Sequence, residues 1–332
     1  MNESTNQTNQ PIINAESHAK ITKIADEIEK VIVGKRDVIK LLLITLLSEG
    51  HVLIEDVPGV GKTTLATALS KSTGLLCKRA QFTPDVMASD ITGFNMFNRE
   101  KNAFEYVNGL VVCNVFLADE INRTSPKTQS ALLECMEEKT VTVDGKKHRL
   151  MSPFMVIATQ NELGYVGTYP LPEAQLDRFL MKISMGYPTL VQEIDIISGR
   201  QKQNPLDTVN PVCTKEEILK IIAETRSVHI EPNVYEYIVN LVSATRVHRS
   251  VMLGASPRAS LMLMRAAQGC AFVSGRGYVT PEDVKAMFPY VISHRLMLTG
   301  DAKIRKISEE SILSEIAGGV VVPFEGQAKV IL

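Results

Sequence analysis

The chain has 332 residues, 45% of them hydrophobic and 22% charged, a size and composition that allow two folded domains and argue against a disordered protein. A formal net charge of −1 provides no overall attraction to nucleic acid or to an anionic membrane. Five scattered cysteines without a C-x-x-C pair predict neither a disulfide framework nor a zinc site, and they favour a reducing, cytoplasmic location.

The chain begins with a polar stretch, residues 1–17, which predicts a disordered tail and contains no secretory signal. Two helices are expected next, one from Ile21 and one over residues 35–48. The longest apolar run, 38–47, is too short to span a bilayer, so no membrane span is expected. A short apolar strand at 51–54 then leads into a glycine-rich turn and a further helix.

Two later apolar runs, 114–120 and 154–160, predict buried strands of a parallel sheet. A helix is expected between them, and the alternating segment 140–150 turns at an Asp-Gly pair, which predicts a hairpin. Because strands and helices alternate, the sequence indicates an α/β fold in which ligands bind at the carboxyl ends of the strands.

The second part of the chain contains helix starts such as Thr214-x-x-Glu217, and no buried strand is expected there. We therefore predict an α/β core with a parallel sheet between helices over 18–187. An all-α second domain is expected over 188–332.

The glycine-rich turn, VPGVGKTT at 57–64, matches the phosphate-binding pattern G-x-x-x-x-G-K-[ST] except at its first position, where Asp56 replaces glycine. Gly59 and Gly61 still let consecutive backbone N–H groups turn inward around a phosphate. The helix that begins at Gly61 adds the partial positive charge of its N-terminus. The turn therefore predicts an ATP phosphate site despite the altered first position.

Two side chains of this turn have predicted roles. Lys62 is expected to reach the β- and γ-phosphate oxygens, and the Thr63 hydroxyl is expected to bind Mg²⁺. The residues of the turn that we expect to contact ATP are Pro58, Gly59, Val60, Gly61, Lys62, Thr63 and Thr64.

Polar side chains end both later strands. Asp119 and Glu120 follow NVFLA, so Asp119 can hold Mg²⁺ while Glu120 orients and deprotonates the attacking water. A kinase with this loop needs no such glutamate, since its acceptor is a substrate hydroxyl. Asn161 ends the strand in ATQN, where its amide can donate to the γ-phosphate or to the water. Together with the phosphate-binding turn, these residues indicate ATP hydrolysis.

Two arginines complete the predicted catalytic set: Arg178 in LPEAQLDRF and Arg258 in GASPRA. Negative charge that develops on the γ-phosphoryl oxygens needs a cation, and a guanidinium group fits those oxygens with two hydrogen bonds. An arginine taken alone is more often a surface ion-pair former. The surrounding sequence pattern, and not the residue type, selects these two.

These motifs in this order resemble the MoxR family of AAA+ ATPases, in which aspartate at the first position of the phosphate-binding turn is usual. The resemblance covers nearly the whole chain beyond the predicted tail. The segments that carry it are EDVPGVGKTT at 55–64, QFTPDVMASDITG at 81–93, FLADEINR at 116–123, ATQN at 158–161, LPEAQLDRF at 171–179, GASPRA at 254–259, TPEDVK at 280–285 and HRL at 294–296.

The resemblance implies a role for each of these residues. Lys62 and Thr63 correspond to the Walker A pair, and Asp119 and Glu120 to the Walker B pair. Asn161 is similar to sensor 1.

For the arginines, the resemblance implies that Arg258 is sensor 2, reaching the nucleotide from a helical lid. Arg178 then corresponds to the arginine finger, which enters the site of the neighbouring subunit. Val33 and Gly34 fall where the family contacts adenine. Segments 90–110 and 140–150 resemble two inserts that face the ring pore or a partner.

The resemblance implies that the chains assemble into a ring, expected to be a hexamer. In this ring, bound nucleotide draws the lid onto the core, and hydrolysis releases it. The family is associated with chaperone-like remodelling or activation of other proteins, often partners with von Willebrand A domains. ATP or ADP and Mg²⁺ are the expected ligands, and no nucleic acid is expected.

Other functions stay open at this point. A nucleic-acid-dependent motor or a magnesium-chelatase-like subunit is the main alternative, because both inserts carry basic residues that could follow a phosphate backbone. Against it, the hairpin lacks interleaved aromatic residues. A scaffold that binds nucleotide without turnover is a further possibility. The basic residues concerned are Arg99, Lys101, Lys146, Lys147 and Arg149.

Overall fold

The computed structural model describes residues 13–161, 168–199 and 204–323. The helices are α1 (Ala15–Glu29), α2 (Arg36–Leu47), α3 (Lys62–Thr73), α4 (Ala88–Thr92), α5 (Pro126–Glu138), α6 (Glu173–Leu176), α7 (Leu190–Gly199), α8 (Lys215–Arg226), α9 (Pro232–Val247), α10 (Pro257–Val273), α11 (Pro281–Ile292), α12 (Gly300–Ile304) and α13 (Glu309–Gly319). The strands are β1 (Val52–Glu55), β2 (Cys77–Gln81), β3 (Gly93–Asn98), β4 (Ala103–Asn108), β5 (Val115–Asp119), β6 (Thr140–Val143), β7 (Lys146–Arg149), β8 (Met155–Gln160), β9 (Met181–Ile183), β10 (Val251–Leu253) and β11 (Met297–Leu298).

A parallel sheet with the strand order β2–β5–β8–β1–β9 organises the first half of the described chain. Its register pairs Glu55 of β1 with Gln160 of β8, and Gln81 of β2 with Asp119 of β5. The carboxyl ends of these strands therefore finish at one edge of the sheet, which we call the carboxyl edge. The predicted α/β core with a parallel sheet is confirmed.

Alternate residues of the central strands enter two separate hydrophobic cores, as the two-residue repeat of a strand requires. Leu117 of β5 packs into the core built with α1, α2 and α3, whereas Phe116 packs into the core built with α5. Helices thus cover both faces of the sheet, which explains why these strands are apolar on both sides.

The helical second half packs onto the first half through α10 and α2. A Cβ at Gly269 of α10 would lie 2.8 Å from Oγ of Ser48, so a larger residue would force the two elements to shift. The same hydroxyl donates to the carbonyl of Arg265 (3.0 Å). Apolar residues of this half share one core with α1 and α2, and the predicted helical domain is present as a lid.

Several expectations from the sequence need correction. α1 begins at Ala15 and buries Ser17, so the predicted disordered tail over 1–17 extends too far by three residues; residues 1–12 lie outside the described part. Asn14 caps this helix by accepting a hydrogen bond from the N–H of Glu16 (3.0 Å). In the lid, β10 and β11 form a short antiparallel pair that was not expected.

The two segments that resemble family inserts are both hairpins, and they touch each other. Segment 90–110 contains β3 and β4, and segment 140–150 contains β6 and β7. Asn95 donates to Asp144 Oδ2 (2.7 Å), and the rings of Tyr106 and His148 stack with centroids 3.9 Å apart. None of the described helices is long and apolar enough to cross a bilayer.

Candidate active site

The glycine-rich turn connects β1 to α3 at the carboxyl edge. Gly59 and Gly61 have φ angles of 89° and 96°, left-handed values that strongly favour glycine. Gly61 is the N-cap residue of α3, so the first backbone N–H groups of this helix are available to an anion. The backbone therefore has the geometry of a phosphate-binding loop.

Lys62, the first residue of α3, is buried, and its ammonium group turns back into the loop. Nζ donates to the carbonyls of Asp56 (2.9 Å) and Val57 (3.3 Å) and to Oδ1 of Asn161 (3.2 Å). Burial lowers the pKa of Lys62, and the charges of three nearby carboxylates oppose that shift. The lysine is thus held by neutral oxygens that phosphate oxygens can replace.

Asn161 joins this lysine to the acidic pair. β8 lies between β1 and β5, so a residue at its carboxyl end has the turn on one side and the acidic pair on the other. The Asn161 amide Nδ2 donates to Oε1 of Glu120 (2.8 Å), while its Oδ1 accepts from Lys62. The structure brings these three predicted residues together in one chain of hydrogen bonds.

Glu120 is fixed in position by its backbone and by other side chains. Its φ of 58° is uncommon for a residue other than glycine and turns the chain sharply after β5. Oε2 accepts from Nε2 of Gln81 (2.8 Å) and from Nη1 of Arg123 (2.8 Å). A carboxylate with its orientation fixed in this way can serve as a base for a water molecule at this edge.

Thr159 and Arg79 are site residues that the sequence reasoning missed. The hydroxyl of Thr159, which is buried, donates to Oδ1 of Asp119 (2.6 Å) and accepts from the N–H of Glu120 (2.8 Å). Nη2 of Arg79 donates to Oδ2 of Asp119 (2.8 Å). Thr159 could have been predicted from the sequence. It is near the end of the predicted strand 154–160, which was expected to lie parallel to the strand 114–120 that carries Asp119.

Asp56, at the position of the missing glycine, anchors the loop to the chain that leaves β9. Its Oδ2 accepts from the backbone N–H groups of Met185 (2.6 Å) and Gly186 (2.7 Å) and from the hydroxyl of Ser184 (3.0 Å). Oδ1 accepts from the N–H of Val57 (2.8 Å). Burial alone would raise the pKa of the Asp56 carboxyl, but the backbone donors outweigh it and the pKa is lowered.

Arg178 and Arg258 lie together, but in a different place from the residues above. Nη1 of Arg178 donates to the carbonyl of Leu133 on α5 (2.6 Å), and Nε lies 3.4 Å from Oε2 of Glu137. Nη2 of Arg258 lies 3.1 Å from Oε1 of the same glutamate. Both arginines therefore gather on the C-terminal half of α5, which also lines a cavity of about 280 Å³ beside Arg178.

The C-terminal end of α5 is at the amino edge of the sheet, opposite the phosphate-binding turn. His51, directly before β1, bonds through Nε2 to the carbonyl of Met136 in α5 (3.1 Å). Its Nδ1 accepts from the N–H of Val156 (3.0 Å), which fixes the neutral Nε2–H form. Burial lowers the pKa of His51 to about 4. The two arginines and their own chain's Lys62 are thus on opposite edges.

Comparison with known proteins now adds to this geometry. A family model described as "ATPase family associated with various cellular activities (AAA)" matches residues 51–181, and one described as "AAA lid domain" matches residues 243–316. The protein called Chaperone MoxR1 of Mycobacterium tuberculosis is 41% identical over 306 residues, which cover 90% of this chain and 81% of that protein. This chain belongs to the MoxR family of AAA+ ATPases.

Other relatives agree with this assignment. Protein MoxR of Methylorubrum extorquens is 31% identical over 84% of this chain and 88% of its own length. The uncharacterized protein YeaC of Bacillus subtilis is 50% identical over 94% of this chain and 97% of its own. A crystal structure of a protein from Cytophaga hutchinsonii assigned as an ATPase superposes with a TM-score of 0.87 at 39% identity, covering 93% of this chain and 96% of that one.

The position of one MoxR-family residue differs from the expectation. Arg258 was expected to reach the nucleotide from the lid, and in this structure it contacts Glu137 at the amino edge, away from the turn of its own chain. The reason is the docking of α10, which carries Arg258 at its start and packs against α2. Sequence alone does not give the side of the core on which a lid helix docks.

The remaining predicted ligand contacts can be located next to the turn. Ile32 Cδ1 would lie 3.8 Å from a Cβ on Gly61, so the residue that precedes Val33 and Gly34 packs near the loop. The adenine contact of Val33 and Gly34 stays a prediction. For Mg²⁺, the hydroxyl of Thr63 and the carboxylate of Asp119 offer the hard oxygen ligands that this ion prefers. The residues present therefore fit both ligands, and the assignments of ATP and Mg²⁺ contacts are predictions.

Proposed function

We propose that this MoxR-family chain hydrolyses ATP in a ring, at sites that two neighbouring chains complete together, and uses the cycle to remodel or activate a partner protein. One chain would supply the carboxyl-edge residues Lys62, Asp119, Glu120 and Asn161. Its neighbour would supply Arg178 and Arg258.

The observation that carries this proposal is the separation of the two groups on opposite edges of one sheet. A strand of the sheet and the length of α5 lie between them, and both arginines contact α5 on the side away from the turn of their own chain. A closed ring of identical chains joins two different surfaces of each neighbouring pair, and in the proposed ring these are the carboxyl edge of one chain and the amino edge of the next. An arginine supplied from outside is known to raise the rate of phosphoryl transfer by about 10³- to 10⁵-fold in other nucleotide hydrolases.

Each residue of the shared site has a role in the proposed reaction. Glu120 takes a proton from water as the water oxygen forms a bond to the γ-phosphorus. The bond from that phosphorus to the β–γ bridging oxygen breaks, and ADP and phosphate leave. Lys62 and the neighbour's arginines stabilise negative charge on the transferred group. Bound Mg²⁺, held by Thr63 and Asp119, would neutralise charge on the β- and γ-phosphates.

We propose that the partner is a protein. The resemblance to the MoxR family suggests a protein with a von Willebrand A domain. The β3–β4 hairpin exposes large apolar side chains, which at a surface usually mark a protein interaction. They are Phe94 (46% exposed), Met96 (56%), Phe97 (46%) and Phe104 (72%). A cytoplasmic location is part of the proposal, and the five unpaired cysteines suit a reducing compartment.

Mixing two inactive variants tests the shared site. Lys62→Ala removes the phosphate-binding lysine, and Arg178→Ala removes the supplied arginine. In equal mixture, about a quarter of the interfaces should combine an intact turn with an intact arginine and regain activity. Mixtures that stay inactive at every ratio would show that Arg178 does not act across the interface.

The ring itself is tested separately with Glu120→Gln, which should bind ATP without turning it over. Sedimentation in ATP and Mg²⁺ should show a closed assembly, expected to be a hexamer. If only monomers sediment at micromolar concentrations, the ring model fails.

The motor alternative keeps one supporting observation, the exposed basic strand β7 with Lys146, Lys147 and Arg149. It predicts salt-dependent binding of single-stranded DNA and stimulation of ATP hydrolysis by that DNA. We expect neither, because the aromatic side chains near this strand, Tyr106 and His148, stack on each other and so are not free to stack on bases.

A further inference from the structure

The segment that carries Arg178 is joined to the lid by a cluster of polar groups in which the lid residues His294 and Arg295 are buried and Asp177 and Ser256 are partly buried. We call this cluster the lid node, and it consists of Asp177, Ser256, His294 and Arg295 with the carbonyl of Phe179. Two of these residues belong to the HRL motif at 294–296, to which the hydrolysis site assigns no role.

Arg295 makes the central contacts of the lid node. Nε donates to Oδ1 of Asp177 (2.7 Å), and Nη2 donates to the carbonyls of Asp177 (3.0 Å) and Phe179 (2.6 Å). Nε2 of His294 lies 3.1 Å from the same Phe179 carbonyl. The residues on both sides of Arg178 are therefore fixed to one guanidinium group.

The same carboxylate also reaches the segment that carries Arg258. Ser256, the N-cap residue of α10 and two residues before Arg258, donates through Oγ to Oδ2 of Asp177 (3.3 Å). One carboxylate oxygen of Asp177 thus bonds to Arg295, and the other bonds to Ser256 at the start of α10. The node connects the backbone at both arginines.

Burial makes this arrangement different from a surface ion pair. The side chain of Arg295 is 2% exposed, whereas the surface pair Arg305–Asp301 in the lid is 69% and 70% exposed. Burial lowers the pKa of Arg295 to about 10 against the opposing charge of Asp177, so the guanidinium is still charged at neutral pH. A buried charge that loses its partner is strongly unfavourable, so the geometry of the node is enforced.

We propose that Arg295 is a positioning residue for hydrolysis in the neighbouring chain, because through Asp177 it holds Arg178 and Arg258 in one fixed spacing. The proposal rests on the shared site proposed above. A rigid lid node would present both guanidinium groups to the γ-phosphate as a unit and transmit lid movement to both.

Arg295→Lys and Asp177→Asn test this role, with Arg305→Lys as the matched exposed control. Lysine keeps the charge but lacks the planar set of donors with which the guanidinium bonds the carboxylate and both carbonyls at once. Each of the two node variants should lower kcat about 10- to 100-fold, since displacement of a catalytic group by an ångström costs that much. Nucleotide Kd should stay within about twofold of the parent, and Arg305→Lys should change neither quantity.

Mixing distinguishes positioning from a general structural role. A node variant keeps its own phosphate-binding turn, so Lys62→Ala chains should restore its activity and Arg178→Ala chains should not. A kcat within twofold of the parent for both node variants would overturn the proposal. So would loss of nucleotide binding without rescue by Lys62→Ala chains. The mixture of Lys62→Ala and Arg178→Ala chains is measured in parallel. If that mixture regains no activity, the shared site itself is rejected.

Discussion

The two edges of the parallel sheet carry charged clusters that differ in how they are completed. At the carboxyl edge, Lys62, Asn161 and Glu120 form a continuous chain of hydrogen bonds around an anion-binding turn. At the amino edge, Arg178 and Arg258 share one carboxylate, Glu137, and the three groups are partly exposed. The first cluster surrounds the turn of its own chain, where a ligand would bind. The second cluster has no such turn beside it and is open to solvent.

The difference shows why a single chain is an incomplete enzyme in our account. The carboxyl edge carries the groups proposed to bind nucleotide and orient water, but the two arginines proposed to stabilise the transition state are on the other side of the sheet. In the isolated chain, the partly exposed carboxylate of Glu137 forms ion pairs with both arginines. A neighbouring γ-phosphate would take its place.

The largest effect is expected at the carboxyl edge. Glu120→Gln keeps the shape and the hydrogen bond from Asn161 but removes the base, so kcat should fall about 10²- to 10⁴-fold while nucleotide binding persists. Steady-state ATPase assays and equilibrium binding would measure this. Glu236→Gln, on the exposed face of α9, is the control. A Glu120→Gln chain as fast as the parent would remove Glu120 from the mechanism.

The amino edge should respond to pH through His51. This histidine is neutral in the folded chain down to its pKa of about 4, whereas in the unfolded chain it binds a proton below its ordinary value of 6.5. Its contribution to stability is therefore complete above pH 6.5 and is lost as pH falls towards 4, a loss of about 3 kcal/mol. Urea unfolding of the parent and His51→Gln at several pH values would measure it. Equal pH dependence of both would refute this assignment.

Asp56 provides a comparison within the carboxyl edge. Asp56→Gly restores the usual glycine of the phosphate-binding pattern, yet it leaves the N–H groups of Met185 and Gly186 and the Ser184 hydroxyl without their acceptor. We expect the free energy of unfolding to fall by about 2 kcal/mol, as for other lost hydrogen bonds to a buried charge. Asp85→Asn, an exposed change, is the control in urea unfolding. A stabilised Asp56→Gly chain would contradict the anchoring role.

The smallest effect on stability is expected from Glu137→Gln. Its ion pairs with Arg178 and Arg258 are exposed, and such pairs contribute at most about 1 kcal/mol. Thermal unfolding should thus change little, in contrast to the buried lid node. A large destabilisation would mean that Glu137 supports the fold and does not merely occupy the arginines.

Much of the carboxyl edge could be predicted from sequence, because parallel strands end together and polar residues after apolar runs must meet there. Asn161 and Glu120 follow this rule. The anchoring of Asp56 could not be predicted, since its partners at 184–186 follow a strand of only three residues, which is too short for a recognisable pattern. β2 was also missed because its Lys78 and Arg79 interrupt any apolar run, which an edge strand tolerates.

The position of Arg258 relative to the turn of its own chain could not be predicted either, for a different reason. Local sequence gives the helix start at Ser256 but not the surface on which α10 docks, which depends on the fit of Gly269 against Ser48. The same limit applies to the lid node, where Asp177 and Arg295 are separated by 118 positions. Long-range packing, and not residue type, decides both.

The position of Arg258 provides the most direct test of the account. Arg258→Ala chains and Lys62→Ala chains, each inactive alone, should regain ATPase activity when mixed, because an intact turn in one would meet an intact Arg258 in the other. If the mixture stays inactive at every ratio while Arg178→Ala and Lys62→Ala complement each other, Arg258 acts in its own chain. That result would contradict the division of the site between the two edges.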